Sequence, residues 1–468
     1  MARRTQQGRR VMETQSATKP NRARFSLGEI VDVTGSTVEI DRTLCIEGVI
    51  SDTRANLQGA LFVALRGARF DGHTFLQQAK EQGAVAAVVT EDFAGEAPAD
   101  FPLIKAADTT RALGDIARAH RLRFDIPVIG VTGSYGKTTT RALIVAALGE
   151  NVLASIANNN NEIGVPQTLL QLDETHRFAV IEMGMRGRGQ IAELARIAQP
   201  TVGLITNVGP QHIEFFDDIW GVVAAKAELL QALPDNGVAV IPANDGYGAT
   251  LRGASPPRVV TFGESEIAAY RVVSIEADSY GLRFEVAEPH SVAVHLPLVG
   301  AHNALNAVAA LAVAGVLEIP LEEAALALAT VDVPGARMRV VRAGEITVID
   351  DSYNAGPDSM RAALETLQSY GAKRRIAVLG AMKELGRWSE DEHRKLGETA
   401  MWCDELVCVG TETRATQGAA RKGLWFASAK EAAPVVKELL RDGDCVLVKG
   451  SRSVGLEQVV ESITGGAA

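Results

Sequence analysis

Short, unbroken apolar runs alternate with amphipathic stretches along most of this 468-residue chain, a rhythm that predicts an α/β protein. The rhythm is clearest between residues 124 and 332. There the runs at 126–131, 178–181, 202–206 and 238–241 are short, β-branched and apolar, as strands of a parallel sheet covered by helices on both faces must be. From 270 to 298 the period changes to two around Tyr280 and Gly281, which predicts an antiparallel hairpin. Residues 25–123 read as a smaller α/β domain, with strands at 59–65 and 85–89 and a helical run at 72–82. Residues 333–468 repeat the pattern, with strands at 346–349, 375–379, 405–409 and 445–448, and predict a C-terminal domain like a Rossmann fold. The turn Val333-Pro334-Gly335 separates the last two domains and is placed to act as a hinge. Residues 1–24 break the pattern: they hold seven Lys or Arg, one Glu and no apolar stretch, so a disordered basic tail is expected rather than a secretory signal.

The junction between the strand at 126–131 and the helical run at 138–148 carries the candidate chemistry. Gly133 and Gly136 let backbone N–H groups converge on an anion at the helix N-terminus, Lys137 can reach the terminal phosphates, and the Thr138 hydroxyl can ligate Mg²⁺. The stretch Gly133, Ser134, Tyr135, Gly136, Lys137, Thr138, Thr139 therefore reads as an ATP-binding loop. Its spacing departs from the common P-loop, because Val131 stands where the first glycine belongs.

In an open parallel sheet the ligand lies beyond the carboxyl ends of the strands. Polar groups recur there: Glu182, Asn207 with His212, and Asn244 with Asp245. Taken singly, Glu182 also reads as a capping carboxylate and His212 as a hydrogen-bonded loop histidine. Lys226, in an amphipathic helical run, reads as solvated. Asn303 reads as a cap on the helical run at 304–316.

Composition narrows the function. The chain is 47% hydrophobic and 22% charged, enough for three cores, and its net charge of −10 argues against general nucleic-acid binding. No apolar run approaches the ~18 residues of a membrane helix, so membrane insertion is not expected. Cys45, Cys403, Cys408 and Cys445 are few and dispersed in apolar surroundings, which fits a reducing cytoplasm rather than a disulfide framework or zinc site.

The loop G-x-T-G-x-x-G-K-T-T resembles the signature of the Mur ligases, and the resemblance extends from about residue 45 to 462. It includes Ile181-Glu-Met-Gly184, Asn207-Val-Gly-Pro-Gln-His212, the lysine of Ala-Lys226-Ala-Glu, Gly300-Ala-His-Asn-Ala-Leu-Asn306, Gly335-Ala-Arg-Met338, Asp350-Asp-Ser-Tyr-Asn-Ala-Gly-Pro357 and Lys449-Gly-Ser-Arg452. The resemblance implies a three-domain architecture: a UDP-sugar domain at 25–123, a central P-loop ATPase sheet at 124–332 and a Rossmann-like ligase domain at 333–468. It implies that Thr138, Glu182 and His212 hold magnesium and that Lys226 is carbamylated to serve a second metal. By the same resemblance Asn303, with Asn306 beside it, holds the base of ATP, while Arg337 and Asp351 close on ATP from the third domain.

Several segments resemble the branch of the family that joins D-alanyl-D-alanine to UDP-N-acetylmuramoyl-tripeptide, an ATP-driven amide formation that releases ADP and phosphate and makes a peptidoglycan precursor. These are Ser51-Asp-Thr-Arg54, the stretch from Leu61 to Phe75, Asn159-Asn-Asn-Glu-Ile-Gly-Val-Pro166 and the Asp350 to Pro357 segment. Substrate contacts are accordingly expected from Ser51, Asp52, Thr53, Arg54, Arg66, Asp71, His73 and Asn161, and, for the dipeptide, from Ser352, Tyr353 and Asn354. A monomer is expected. Ala157 and Gly356 depart from the residues usual in the family, glycine and asparagine, and both fall in substrate loops. Folylpolyglutamate-type ligases, ligases adding a single amino acid and a non-catalytic ATP-binding regulator remain the alternatives.

Overall fold

A computed structural model describes residues 21–38, 40–67, 70–243, 246–278 and 281–466. Asn244, Asp245 and Tyr280, singled out above, lie outside the described residues, as do residues 1–20 of the basic tail. The chain forms two compact units, one comprising the chain up to Asp125 together with 162–175, the other 126–161 and 176–468.

The first unit is built on a four-stranded parallel sheet, Val49–Ile50, Leu61–Val63, Ala86–Thr90 and Leu103–Ala106 in spatial order, over a core that includes Leu57, Phe62, Leu76 and Val89. The helical run expected at 72–82 divides into a 3₁₀ turn, Gly72–Phe75, and a helix, Leu76–Glu81. The Asp71 carboxylate accepts the His73 N–H and tightens the first turn. The helix Gly164–Leu169 packs in this unit, where the His120 imidazole meets the Leu172 carbonyl at 3.0 Å.

The expected tail ends earlier than residue 24. Arg24–Ser26 is a strand paired antiparallel with Cys45–Glu47, Ala23 is buried, and the Asn21 amide bonds both backbone groups of Val49, accepting its N–H at 2.9 Å. Removing residues 1–20, a basic stretch poor in apolar residues, is therefore expected to leave the melting midpoint unchanged. Removing residues 1–24 leaves the buried Val49 groups unpaired and should cost about 1–3 kcal/mol. Calorimetry of the two truncations compares them directly, and equal midpoints would show that Asn21 contributes nothing. Cys45 also differs from expectation: it is exposed, whereas Cys403, Cys408 and Cys445 are buried.

The second unit carries two sheets. Among the described residues one has nine strands, in spatial order Val292–Leu296, Gly281–Glu288, Tyr270–Asp278, Arg258–Gly263, Val238–Pro242, Val202–Ile205, Val128–Thr132, Phe178–Glu182 and Val152–Ala154. The strands pair in parallel except for the meander from Tyr270 to Leu296, so the expected hairpin gains a third strand. From Val128–Thr132 the chain runs first to one side and later to the other, which makes its carboxyl end a topological switch point. The helices Lys137–Leu148 and His302–Val316 share one core through Leu143, Ile144, Ala307 and Leu311.

The other sheet runs Arg339–Ala343, Ile346–Asp351, Asp444–Lys449, Arg374–Gly380, Glu405–Val409 and Leu424–Phe426, with only the first pair antiparallel. The Ile346–Asp351 and Asp444–Lys449 strands end in register, Asp351 opposite Lys449.

Candidate active site

The switch point holds the glycine loop. Val128–Thr132 is buried throughout, and the helix Lys137–Leu148 starts directly after Gly136, which has φ +77°. A Cβ on Gly136 would lie 2.6 Å from Asn306 Oδ1, and one on Gly133 would lie 1.9 Å from Thr206 Oγ1. No larger residue fits either position without displacing the neighbour.

Residues 206–209, beyond the adjacent strand, stitch the loop in place. The Ser134 N–H donates to Asn207 O (3.1 Å) and the Tyr135 N–H to Asn207 Oδ1 (3.0 Å). The Tyr135 carbonyl accepts from Thr206 Oγ1 (2.7 Å) and Asn207 Nδ2 (3.0 Å). Ser134 Oγ bonds both the carbonyl and the N–H of Gly209 at 2.8 Å. Lys137 Nζ lies across the loop, donating to Gly133 O (2.7 Å) and Ser134 O (3.2 Å). Burial, opposed by Glu182 and reinforced by Arg337, lowers this ammonium below the ordinary lysine value. Thr139 is buried in the first turn of the helix.

Glu182 ends the neighbouring strand, almost fully buried, and both its oxygens are engaged. Oε2 accepts from Thr138 Oγ1 (2.9 Å) and Arg141 Nη1 (3.2 Å), and Oε1 from Asn160 Nδ2 (2.9 Å). Arg141 also donates to Ala157 O at 2.9 Å, tying down the loop in which Ala157 takes φ +49°. Neither Arg141 nor Asn160 was singled out from sequence, although Arg141 lies one helical turn beyond Thr138. Asn161, the neighbouring candidate, is partnered within the protein.

Lys226 is not solvated. It is 1% exposed inside the helix Ile219–Gln231, and no carboxylate pairs with it among the described residues. Burial, with the charge of Lys137, holds it well below the usual lysine range. Lys137 and Arg141 share the carboxylate of Glu182, Arg337 adds its charge to both, and Lys226 lies in the field of Lys137, so basic side chains crowd the site.

His212 takes φ +60° at the end of its loop, and its Nδ1 meets a carboxylate oxygen of Glu384. Burial outweighs the pull of Glu384 and keeps this imidazole below its ordinary pKa, while the bond to His212 lowers that of Glu384. At neutral pH the pair is a neutral imidazole donating Nδ1–H to a carboxylate. Among the described residues no three His, Cys, Asp or Glu converge as a metal cluster. Mg²⁺ does not require one, since it commonly takes one or two carboxylates and completes its shell with water and phosphate oxygens. The Thr138 hydroxyl in contact with the Glu182 carboxylate is a hard-oxygen pair that fits such an ion.

Asn303 is not a helix cap; the N-cap position is Ala301. Its amide donates to Val299 O (2.8 Å) and accepts from Asn306 Nδ2 (3.0 Å), while Asn306 Oδ1 accepts from Thr140 Oγ1 (3.2 Å). The two asparagines thus relay from the P-loop helix to Val299. A cavity of about 440 Å³ opens there, lined by Val299, Asp332, Pro334, Arg337 and Met338 among others.

Arg337 lies at the rim of this cavity, its guanidinium 4.0 Å from the Tyr353 ring centroid and donating to Pro334 O at 2.9 Å. Asp351 is buried, accepts from Lys449 Nζ at 2.5 Å and accepts the Met338 N–H at 3.3 Å. Burial raises its pKa against the pull of Lys449. Lys449 also donates to the Asn354 carbonyl at 2.9 Å. Of the three residues expected to meet a dipeptide, Ser352 points inward, its hydroxyl donating to Asp350 Oδ1 at 2.7 Å because that buried carboxylate needs donors. Tyr353 is the platform for Arg337.

The remaining candidates belong to the first unit. Ser51 Oγ accepts from Gln167 Nε2 at 3.0 Å, Thr53 is buried, and Asp52 and Arg54 form a bidentate pair with a shortest contact of 2.6 Å. Arg66 reaches Asp92 at 3.0 Å and Asp71 at 3.5 Å. Both nitrogens of the buried His73 ring are occupied, Nδ1 by Asp71 (2.5 Å) and Nε2 by the Thr90 N–H (3.0 Å). His73 therefore fastens its own segment.

Comparison with known proteins identifies the family. Models for the Mur ligase family catalytic domain, the Mur ligase middle domain and the Mur ligase glutamate ligase domain match residues 46–121, 131–314 and 336–452. The UDP-N-acetylmuramoyl-tripeptide–D-alanyl-D-alanine ligase of Synechocystis sp. is 40% identical over 440 residues, 92% of this chain and 94% of that protein. The crystal structure of MurF from Acinetobacter baumannii superimposes with a TM-score of 0.89 at 31% identity, covering 95% of this chain and 99% of that one. MurF ligase from Thermotoga maritima, solved in complex with ADP, gives 0.81 at 27% identity, covering 89% and 97%.

Proposed function

The chain belongs to the Mur ligase family, and from that premise we propose that it joins D-alanyl-D-alanine to UDP-N-acetylmuramoyl-tripeptide with cleavage of ATP to ADP and phosphate, giving the muramoyl-pentapeptide. The observation that carries the reading is the cluster of basic side chains at the switch point of the nine-stranded sheet, with Lys137 and Arg141 sharing Glu182, Arg337 acting on both and Lys226 in the field of Lys137. Such a site suits the crowded negative charge of a triphosphate and an incoming carboxylate.

In the first step the tripeptide's terminal carboxylate attacks the γ-phosphorus, the bridge to the β-phosphate breaks, and ADP leaves. The resulting acyl phosphate is attacked at its carbonyl carbon by the dipeptide amine. The tetrahedral intermediate expels phosphate, and the amine proton is lost to solvent. Lys137 and the N–H groups of the glycine loop hold the β- and γ-phosphates, and Arg337 offsets charge on the phosphoryl group in transfer. Thr138, Glu182 and His212 would hold Mg²⁺, which neutralises charge at the phosphates when bound. A carbamate on Lys226 would replace an unpaired buried amine with an anion suited to a second metal, and its lowered pKa supplies the neutral amine that reacts with CO₂. The cavity beside Val299 and Arg337 accepts the base of ATP, positioned by Asn303.

We assign residues 25–123 to the UDP-sugar, 124–332 to ATP and 333–468 to the dipeptide. The half-buried Asp52 and the exposed Arg54 and Arg66 would face the first of these ligands and Asn354 the last. The buried thiols Cys403, Cys408 and Cys445, each pushed up to about 12 by burial, are free, in keeping with the cytoplasm.

Phosphate release assayed with UDP-muramoyl peptides and amine substrates in all pairings tests the proposal. Strong stimulation is expected only when the tripeptide and D-alanyl-D-alanine are both present. Equal stimulation by a single amino acid such as L-glutamate would move the chain to another branch of the family.

A further inference from the structure

We propose that Glu384 is a positioning residue for the metal site: by accepting Nδ1–H of His212 it fixes the tautomer and ring orientation that leave Nε2 free to ligate magnesium. The proposal rests on the reading of His212 as a ligand. Glu384 lies in the loop after the Arg374–Gly380 strand of the six-stranded sheet, whereas His212 follows a strand of the nine-stranded sheet. The imidazole is therefore held from the other sheet.

Three further contacts show that this junction is built rather than incidental. The second Glu384 oxygen takes Arg186 Nε at 3.1 Å, so the carboxylate is fixed from two sides. The Glu384 carbonyl accepts the Glu214 N–H at 3.3 Å, with both Glu384 (φ +62°) and His212 (φ +60°) in the left-handed conformation that lets the loops meet. Arg387 donates to the Asp217 carbonyl, and Gly386, at φ +52°, leaves space where a Cβ would stand 2.8 Å from Glu214 Cβ. The 384–387 loop thus grips the 212–217 loop at both ends. Metal-bound histidines generally donate their second ring N–H to a carboxylate or carbonyl, and losing that partner typically weakens metal binding. It follows that this ligand is correctly set only while the six-stranded sheet is docked.

Glu384→Gln tests the idea, because an amide has one acceptor oxygen and cannot serve both His212 and Arg186. Mn²⁺ in place of Mg²⁺, with a non-hydrolysable ATP analogue and the full chain, gives two readouts independent of turnover: metal affinity, and nitrogen hyperfine coupling in pulsed electron paramagnetic resonance. Glu384→Gln is expected to weaken Mn²⁺ binding about 10- to 100-fold and to diminish the coupling, with an unchanged melting midpoint. His212→Ala should abolish the coupling, and adding Glu384→Gln to it should weaken binding no further. If Glu384→Gln keeps both affinity and coupling while His212→Ala loses them, the positioning role is overturned and the ligand reading stands. An undiminished effect of Glu384→Gln in the His212→Ala background also overturns the role. If His212→Ala itself retains the coupling, the ligand reading fails, and the proposal fails with it.

Discussion

Lys137→Ala is expected to lower phosphate release by roughly 10² to 10³, the usual loss when one preorganised charge is removed from a transferring phosphoryl group. The ammonium is already aimed at the loop, bonded to the Gly133 and Ser134 carbonyls, and needs only to turn from these to reach a phosphate oxygen. Its setting also predicts the direction of the stability change. Lys137 is desolvated, and this cost exceeds the attraction of Glu182 that opposes it, so its loss removes a buried charge and should leave the melting midpoint unchanged or higher. Activity and stability moving in opposite directions is the mark of a charge kept for function. A variant with near-native turnover would refute the ATP-loop assignment.

Lys226→Ala should be inactive, with a loss on the order of 10² or more, and partly rescued by formate or acetate. The lysine is 1% exposed and lacks a carboxylate partner among the described residues, so truncation opens a buried space next to other cations where a small carboxylate can bind in place of a carbamate. Labelled bicarbonate gives a second check: a carbamate carbon resonance should appear in the native chain and be absent from the variant. Full activity of Lys226→Ala would sink the carbamate reading. Inactivity with neither rescue nor resonance would make the lysine a packing residue.

Sequence periodicity reached most of the architecture because strands buried on both faces leave continuous apolar runs. The runs at 126–131, 178–181, 202–206 and 238–241 each became a strand of one sheet, with ends shifted by one or two residues. What periodicity could not show was where polar side chains turn. Lys226, in the run Ala-Ala-Lys-Ala, reads from sequence as a solvated lysine of an amphipathic helix, and only the packing of the buried Val223, Ala227 and Leu230 shows otherwise. Asn303 has the residue type of a cap but falls inside the helix, because the chain turns helical two residues earlier, after Ala301. Ser352 and His73 were legible as polar residues in candidate loops, yet buried neighbours, Asp350 in one case and Asp71 with Thr90 in the other, claim their hydrogen bonds.

Glu384 was missed for a different reason. It stands beyond a strand's carboxyl end as Glu182 does, and the same rule could have flagged it. The sheet it follows carries no glycine-rich phosphate loop, so nothing in the local sequence pointed from it to His212. Contacts between separate sheets depend on tertiary geometry that local patterning does not encode.

The central claim is the identity of the bond made. Incubating the full chain with ATP, Mg²⁺, UDP-N-acetylmuramoyl-tripeptide and D-alanyl-D-alanine, then weighing the product by mass spectrometry, tests it most directly. The account predicts the UDP-muramoyl-pentapeptide, formed in step with ADP and phosphate and absent when either substrate is omitted. Recovery of unextended tripeptide alongside ADP, or extension of an acceptor by a single amino acid, would contradict it.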